Sequence, residues 1–229
     1  MGWLIIFTAF VLLVFLPGIW VKFVLKKYSR PVDRYIGQGN GAEFARHLLE
    51  KFNLTDISVE QTDLGDHYDP IAGAVRLSKE NYEGYSLTAI TVAAHEVGHA
   101  IQHFRGERLF RYRQWLVRIA MIGEKVGSIL LVGAPIIMLV ARIPYLSAGM
   151  LVIGFGSMVI SAIVHFVTLP VELDASFNKA LPVLEQGKYL QDGDLPHARK
   201  ILKAAAFTYV AASLAGLMNL RRWITILRR

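Results

Sequence analysis

The stretch SLTAITVAAHEVGHAIQHF, residues 86–104, decides how the rest of the chain is read. Ser86 suits a helix N-cap, and the proline-free run after it predicts a long helix to about Phe104. That helix is apolar apart from a few positions, chief among them His95, Glu96 and His99. Residues four apart share a helix face, so both imidazoles can reach one metal ion. Glu96, beside the first of them, can address a water at that ion as general base. Without a metal, such a helix would carry two histidines and a glutamate into the interior with no purpose, and buried polar groups need partners. Neutral nitrogen ligands suit catalytic zinc, which keeps three protein ligands.

Several candidates exist for the third ligand. His103 lies eight residues past His95, roughly 12 Å along the axis, too far to share the ion unless the helix bends. It is expected beside the site or on the surface. His67 and His165 are possible ligands. Glu172 is better placed, because it follows Pro170 at the end of a long apolar run.

Working outward, three apolar runs stand out. Trp3 to Val21 has no charged residue and spans roughly 28 Å, close to the hydrocarbon thickness of a bilayer. It lacks the basic start and cleavage site of a secretory leader, so an uncleaved anchor over 3–21 is expected. The runs 119–141 and 144–169 are joined by Arg142-Ile143-Pro144 and are expected to form a transmembrane hairpin. Lys22, Lys26, Lys27, Arg30 and Arg34 follow the first run, and Arg105, Arg108, Arg111, Arg113 and Arg118 precede the second. By the positive-inside rule this places 22–118 in the cytosol, with the N-terminus and the hairpin tip outside. The net charge of +7 is then explained by topology, and no aromatic-interleaved basic patch supports a nucleic-acid partner.

The composition agrees. Of 229 residues, 54% are hydrophobic and 19% charged, which excludes disorder as the main state. The chain has no cysteine, which excludes a disulfide scaffold, a thiolate zinc finger and a cysteine nucleophile.

Between the anchor and the motif, residues 38–54 read as a capped amphipathic helix, and 57–60 and 74–78 as short strands. Asp66-His67-Tyr68-Asp69-Pro70 reads as a turn. The strand at 74–78 is expected either to be a plain sheet strand or to lie at an edge, where an extended substrate can pair with it. The fold expected is α+β and mostly helical: a small zincin-like domain with a short sheet, over 22–118, fused to transmembrane helices. Residues 170–229 complete the site from a cytosolic or interfacial segment, with an apolar helix at about 201–220.

HEVGHAIQH at 95–103 with PVELDAS at 170–176, supported by DHYDP, RLS and AAFTYVAA, resembles the bacterial membrane-bound neutral zinc metallopeptidases of the YugP-like family. The order of motifs is also similar to HtpX and the CAAX prenyl endopeptidases, gluzincins that place a glutamate ligand in E-x-x-A-D after a membrane hairpin. The resemblance implies Glu172 as third zinc ligand. It departs at Ser176, where those relatives have Asp, so Asp174 or another residue is expected to orient a ligand histidine.

The resemblance and the motif together imply a zinc metalloendopeptidase of the bacterial cytoplasmic membrane. Peptides or membrane proteins are its expected substrates, the bilayer its surroundings and the cytosolic side its place of action. Tyr209, Arg199 and His165 are candidates to stabilise the oxyanion. Two rivals are an intramembrane site-2-type protease using Asp192, and a non-catalytic membrane protein with a structural or sensory metal site.

Overall fold

The structure, a computed structural model, describes residues 2–217; residues 1 and 218–229 lie outside it, as do the side chains of 2, 4–7, 9, 10, 13 and 215–217. Most of the described chain is helical, with three strands. It divides into two compact units, one formed by residues 19–111 and 170–208, the other by residues 2–18, 112–169 and 209–217.

In the first unit, Asn40 sets the start of α2 (Gly41–Lys51): its side chain accepts from the Glu43 N–H, and the Glu43 carboxylate accepts from the Asn40 N–H. Phe44, Ala45, Leu48 and Leu49 recur at helical spacing and bury one face. The sheet comprises β1 (Ser58–Thr62), β2 (His67–Asp69) and β3 (Ala74–Ser78), in the order β1-β3-β2. β3 runs parallel to β1 and antiparallel to β2.

This topology corrects one expectation and decides another, making 74–78 the plain sheet strand of the two alternatives. The DHYDP stretch is more than a turn, because it holds the strand β2, with Asp66 just before it and Asp69 as its last residue. Asp66 accepts from the Ser78 N–H and hydroxyl and from the Asn81 amide, while Asp69 accepts from the N–H groups of Ile71 and Ala72. As a result β3 is central, with both edges already paired, so it offers no edge to an extended substrate. The outer edges belong to β1 and β2.

A single turn, α3 (Lys79–Tyr82), leads to α4 (Leu87–Phe104), which Ser86 caps by accepting from the Ala89 N–H. Every residue from Leu87 to Gln102 is buried, so the helix is enclosed on all sides. Against it packs a π-helical segment, Ala175–Ala180, and Gly98 permits the approach. A Cβ at Gly98 would lie 2.7 Å from the Ala175 carbonyl oxygen. After α7 (Leu181–Gln186), Ile201 and Leu202 of α8 (Leu195–Leu217) complete the core. The helix expected at 201–220 therefore begins earlier, and its last expected residues lie outside the described ones.

In the second unit, α5 (Arg108–Ile136) continues as a π turn, and a left-handed Arg142 leads into α6 (Pro144–Asp174). The helical runs Arg108–Ala141 and Pro144–Gln186 are long and apolar enough to cross a membrane. A Cβ at Gly127 would fall 1.9 Å from the Ser157 hydroxyl, so the two helices meet closely there. The Ser161 hydroxyl donates to Glu124, which gives that carboxylate a partner within the hairpin. Ile122, Val152, Ile160, Ile163 and Val167 are each more than half exposed, an apolar face of the kind that lipid covers. α1 (Gly2–Tyr28) contains the run expected as an anchor, and its described Leu12 and Leu16 are likewise exposed.

Candidate metal centre

His95 and His99 stand one turn apart on α4, and Glu172 stands in the last turn of α6. One ligand atom from each lies within 4.8 Å of the other two, and all three residues are buried. The Glu172 Oε2 is 2.9 Å from His99 Nε2 and 3.5 Å from His95 Nε2.

What the rest of each ring touches decides which nitrogen carries hydrogen. Gln102 Nε2 donates to the Val171 carbonyl at 3.0 Å and to Asp174 Oδ2 at 2.7 Å. Those acceptors use both amide hydrogens, so the Gln102 oxygen must be the atom 2.9 Å from His99 Nδ1. His99 therefore donates from Nδ1. The Ser176 hydroxyl spends its one hydrogen on the Leu202 carbonyl at 3.0 Å, so it accepts from His95 Nδ1, also at 3.0 Å. In neutral imidazoles both Nε2 lone pairs then point toward one carboxylate oxygen.

Three electron-pair donors converge on one place, and a cation is the partner such a set fits. Two imidazoles and a carboxylate, with the far side of each ring already hydrogen-bonded, is the donor chemistry zinc prefers. The residues present thus fit a zinc ion.

The other residues singled out in the sequence lie outside the trio. Asp174 touches neither histidine; it orients Gln102, accepts from Asn178 and pairs with Lys179 at 2.9 Å. His103 shares a hydrogen bond with the Tyr68 hydroxyl at 2.8 Å and its ring tilts against Phe110. Burial, with the Asp69 charge beside it, raises the Tyr68 pKa, so that hydroxyl stays neutral. Glu96 is buried beside His95, at 4% exposure. His67 closes its own turn on the Gly65 carbonyl. Asp192 and Arg199 are exposed, and Asp192 is not in the metal-competent group. Tyr209 belongs to the other unit, where it stacks on His165 and holds the Arg113 guanidinium over its ring.

Sequence reading missed Gln102 and the positive role of Ser176. The signal for Gln102 was its place three residues past His99, one turn along the same face. For Ser176 it was the substitution itself: a hydroxyl whose only hydrogen is engaged still offers a lone pair to an imidazole N–H.

A protein family described as "Putative neutral zinc metallopeptidase" matches residues 3–228 of this chain. The "Putative membrane protease YugP" of Bacillus subtilis (strain 168) is 36% identical over 215 residues, which cover 90% of each chain. No solved structure matches. With the match running nearly end to end, and with a buried trio able to hold the metal, the chain belongs to this neutral zinc metallopeptidase family.

Proposed function

We propose that the protein is a zinc-dependent endopeptidase of the bacterial cytoplasmic membrane, gluzincin-like, with its site close to the cytosolic surface. The observation that carries this reading is the convergence of His95 Nε2, His99 Nε2 and Glu172 while both Nδ1 hydrogens are engaged behind them.

His95, His99 and Glu172 would hold the ion. When bound there, zinc supplies Lewis acidity, which acidifies water and polarises a peptide carbonyl. Glu96 takes the proton from the attacking water and returns it to the departing amine. Its burial beside His95 keeps it within the same enclosed site. Gln102 and Ser176 hold the rings in the tautomer that leaves Nε2 free.

Two features support the membrane-surface placement. Glu172 lies in the last turn of the helix that carries an apolar run, and the basic residues cluster on the segments flanking the motif. Membrane proteins, or peptides delivered at the membrane, are the substrates this placement favours.

The test is metal content and casein hydrolysis on detergent-purified full chain, comparing wild type with Glu96→Gln. The expected result is about one zinc per chain in both, with hydrolysis lowered roughly 100-fold or more in the variant. Zinc in both with equal activity would remove Glu96 from the chemistry. Zinc without hydrolysis in either would favour a structural or sensory site. Absence of zinc would overturn the reading.

A further inference from the structure

The corner between α4 and α5 carries features that catalysis does not use. Gly106, at φ +62°, turns the chain, and Phe104 and Leu109 on either side are 71% and 63% exposed. Arg105, Arg108 and Arg111 interleave with them, all exposed and without an ion pair among the described residues. The acids nearby are occupied: Lys179 bridges Glu107 at 3.1 Å and Asp174 at 2.9 Å. Two carboxylates and one ammonium leave one negative charge against three guanidiniums, so the corner is positive on balance.

Beside the corner lies a cavity of about 460 Å³, with Arg108, Gln102, Asn178 and the Lys179-paired carboxylates Glu107 and Asp174 as polar lining, and Leu109, Pro170 and Val171 as an apolar wall. A fork of guanidinium donors matches phosphate oxygens, while an apolar wall rejects a fully hydrated ion. A ligand that satisfies both is anionic at one end and apolar at the other. The corner also opens a helical run long and apolar enough to cross a membrane, since that run starts at Arg108. A basic cluster at such a place attracts anionic lipid.

We propose that this corner and its cavity bind the headgroup of an anionic phospholipid. Arg108 meets the phosphate from the cavity lining, and Arg105 and Arg111 add positive charge at the surface. Phe104 and Leu109 pack among the upper parts of the acyl chains. The occupant would rest against Gln102 and Asp174, the residues behind His99. The proposal rests on the reading of the apolar runs as membrane spans.

The experiment reconstitutes the full chain in nanodiscs of phosphatidylcholine with a minority of phosphatidylglycerol, then counts retained lipids by native mass spectrometry. Wild type is expected to retain phosphatidylglycerol well above its share. Retention should fall roughly fivefold for each arginine removed in R105Q, R108Q and R111Q. R118Q, outside the corner, should leave it unchanged, and zinc content should be unchanged throughout, which excludes misfolding as the cause. Proportional retention of both lipids by wild type, or undiminished selectivity in the triple variant, overturns the lipid site alone. Displacement of the lipid by free glycerol 1-phosphate would also overturn it, because a soluble phosphate would then be the ligand. Failure of wild type to enter the nanodisc overturns the membrane spans and the lipid site together.

Discussion

Two carboxylates in the same unit are buried almost equally, Asp194 at 3% exposure and Glu172 at 2%, yet their surroundings are chemical opposites. Around Asp194 every partner brings a hydrogen. Arg34 donates from Nε at 2.7 Å and from Nη2 at 2.9 Å, and the Tyr35 hydroxyl donates at 2.6 Å. Burial alone would raise the Asp194 pKa, but the bonds from Arg34 and Tyr35 outweigh it and hold the group below the usual carboxylate range. Tyr35 is pushed up to about 12, by burial first and then by its bond to Asp194. The two ring nitrogens nearest Glu172, in neutral imidazoles, bring lone pairs to it, because the one hydrogen of each ring is held on the far side. Burial of a carboxylate therefore does not mark a site. The polarity of what faces it does: a carboxylate met by donors is a finished structural joint, and one met by other lone pairs is a place for a cation.

Substituting Glu172 tests that contrast most severely. In Glu172→Ala the trio loses its only charged member, and metal binding should weaken beyond the roughly 10- to 100-fold typical of losing an outer hydrogen-bond partner. Ligand that binds only the folded state stabilises it, so a chelator should lower the melting temperature of wild type. The same chelator should leave Glu172→Ala unmoved. Equal chelator sensitivity in the two proteins would show that the metal sits elsewhere.

Much of this site was legible in the chain. The i, i+4 spacing of His95 and His99 needs only a helix, and the capping serine and apolar run supply one. Glu172 was reachable because a glutamate just past a long apolar run has few places to go. The partners behind the histidines were harder, since polarity in a hydrogen-bond chain depends on which atoms the fold brings together. Nothing in the sequence says that Val171 and Asp174 would claim both hydrogens of the Gln102 amide. The sheet order was hidden for a related reason. A three-residue strand such as His67–Asp69 has too short a pattern to declare itself, and its aspartate ties are visible only once folded. Gly98 carried a partial signal: glycine inside a buried helix implies a close neighbour, but not which one.

A finer cut comes from Gln102, which acts on the metal only through His99. Gln102→Met keeps the length and removes the acceptor for His99 Nδ1, so zinc affinity should fall about 10- to 100-fold. Gln102→Glu keeps an acceptor but sets two carboxylates together with Asp174. Adding Asp174→Asn restores a donor between them, so the double variant should recover affinity over Gln102→Met. Competition with a zinc-binding dye measures all of these without requiring turnover. If the Met variant binds zinc as tightly as wild type, the tautomer is held by something other than Gln102.

The smallest effect expected belongs to Asp194, and it shows in pH dependence rather than in metal binding. A carboxylate whose folded pKa is depressed contributes stability that is complete above its unfolded value and is lost as pH falls through the folded one. Tyr35 acts with the opposite sense: its contribution is complete below the ordinary tyrosine value and is lost as pH rises toward about 12. Asp194→Asn should cost on the order of 1 kcal/mol at neutral pH, a modest figure because Arg34 is partly exposed. It should flatten the acid limb of the melting profile and shorten the alkaline limb too, since Tyr35 loses part of what holds its pKa above the ordinary tyrosine value. Run in the Glu172→Ala background, the measurement is free of metal release at low pH. An unchanged acid limb there would mean that Asp194 is not the joint its donors make it, and the distinction between the two carboxylates would lose its structural half.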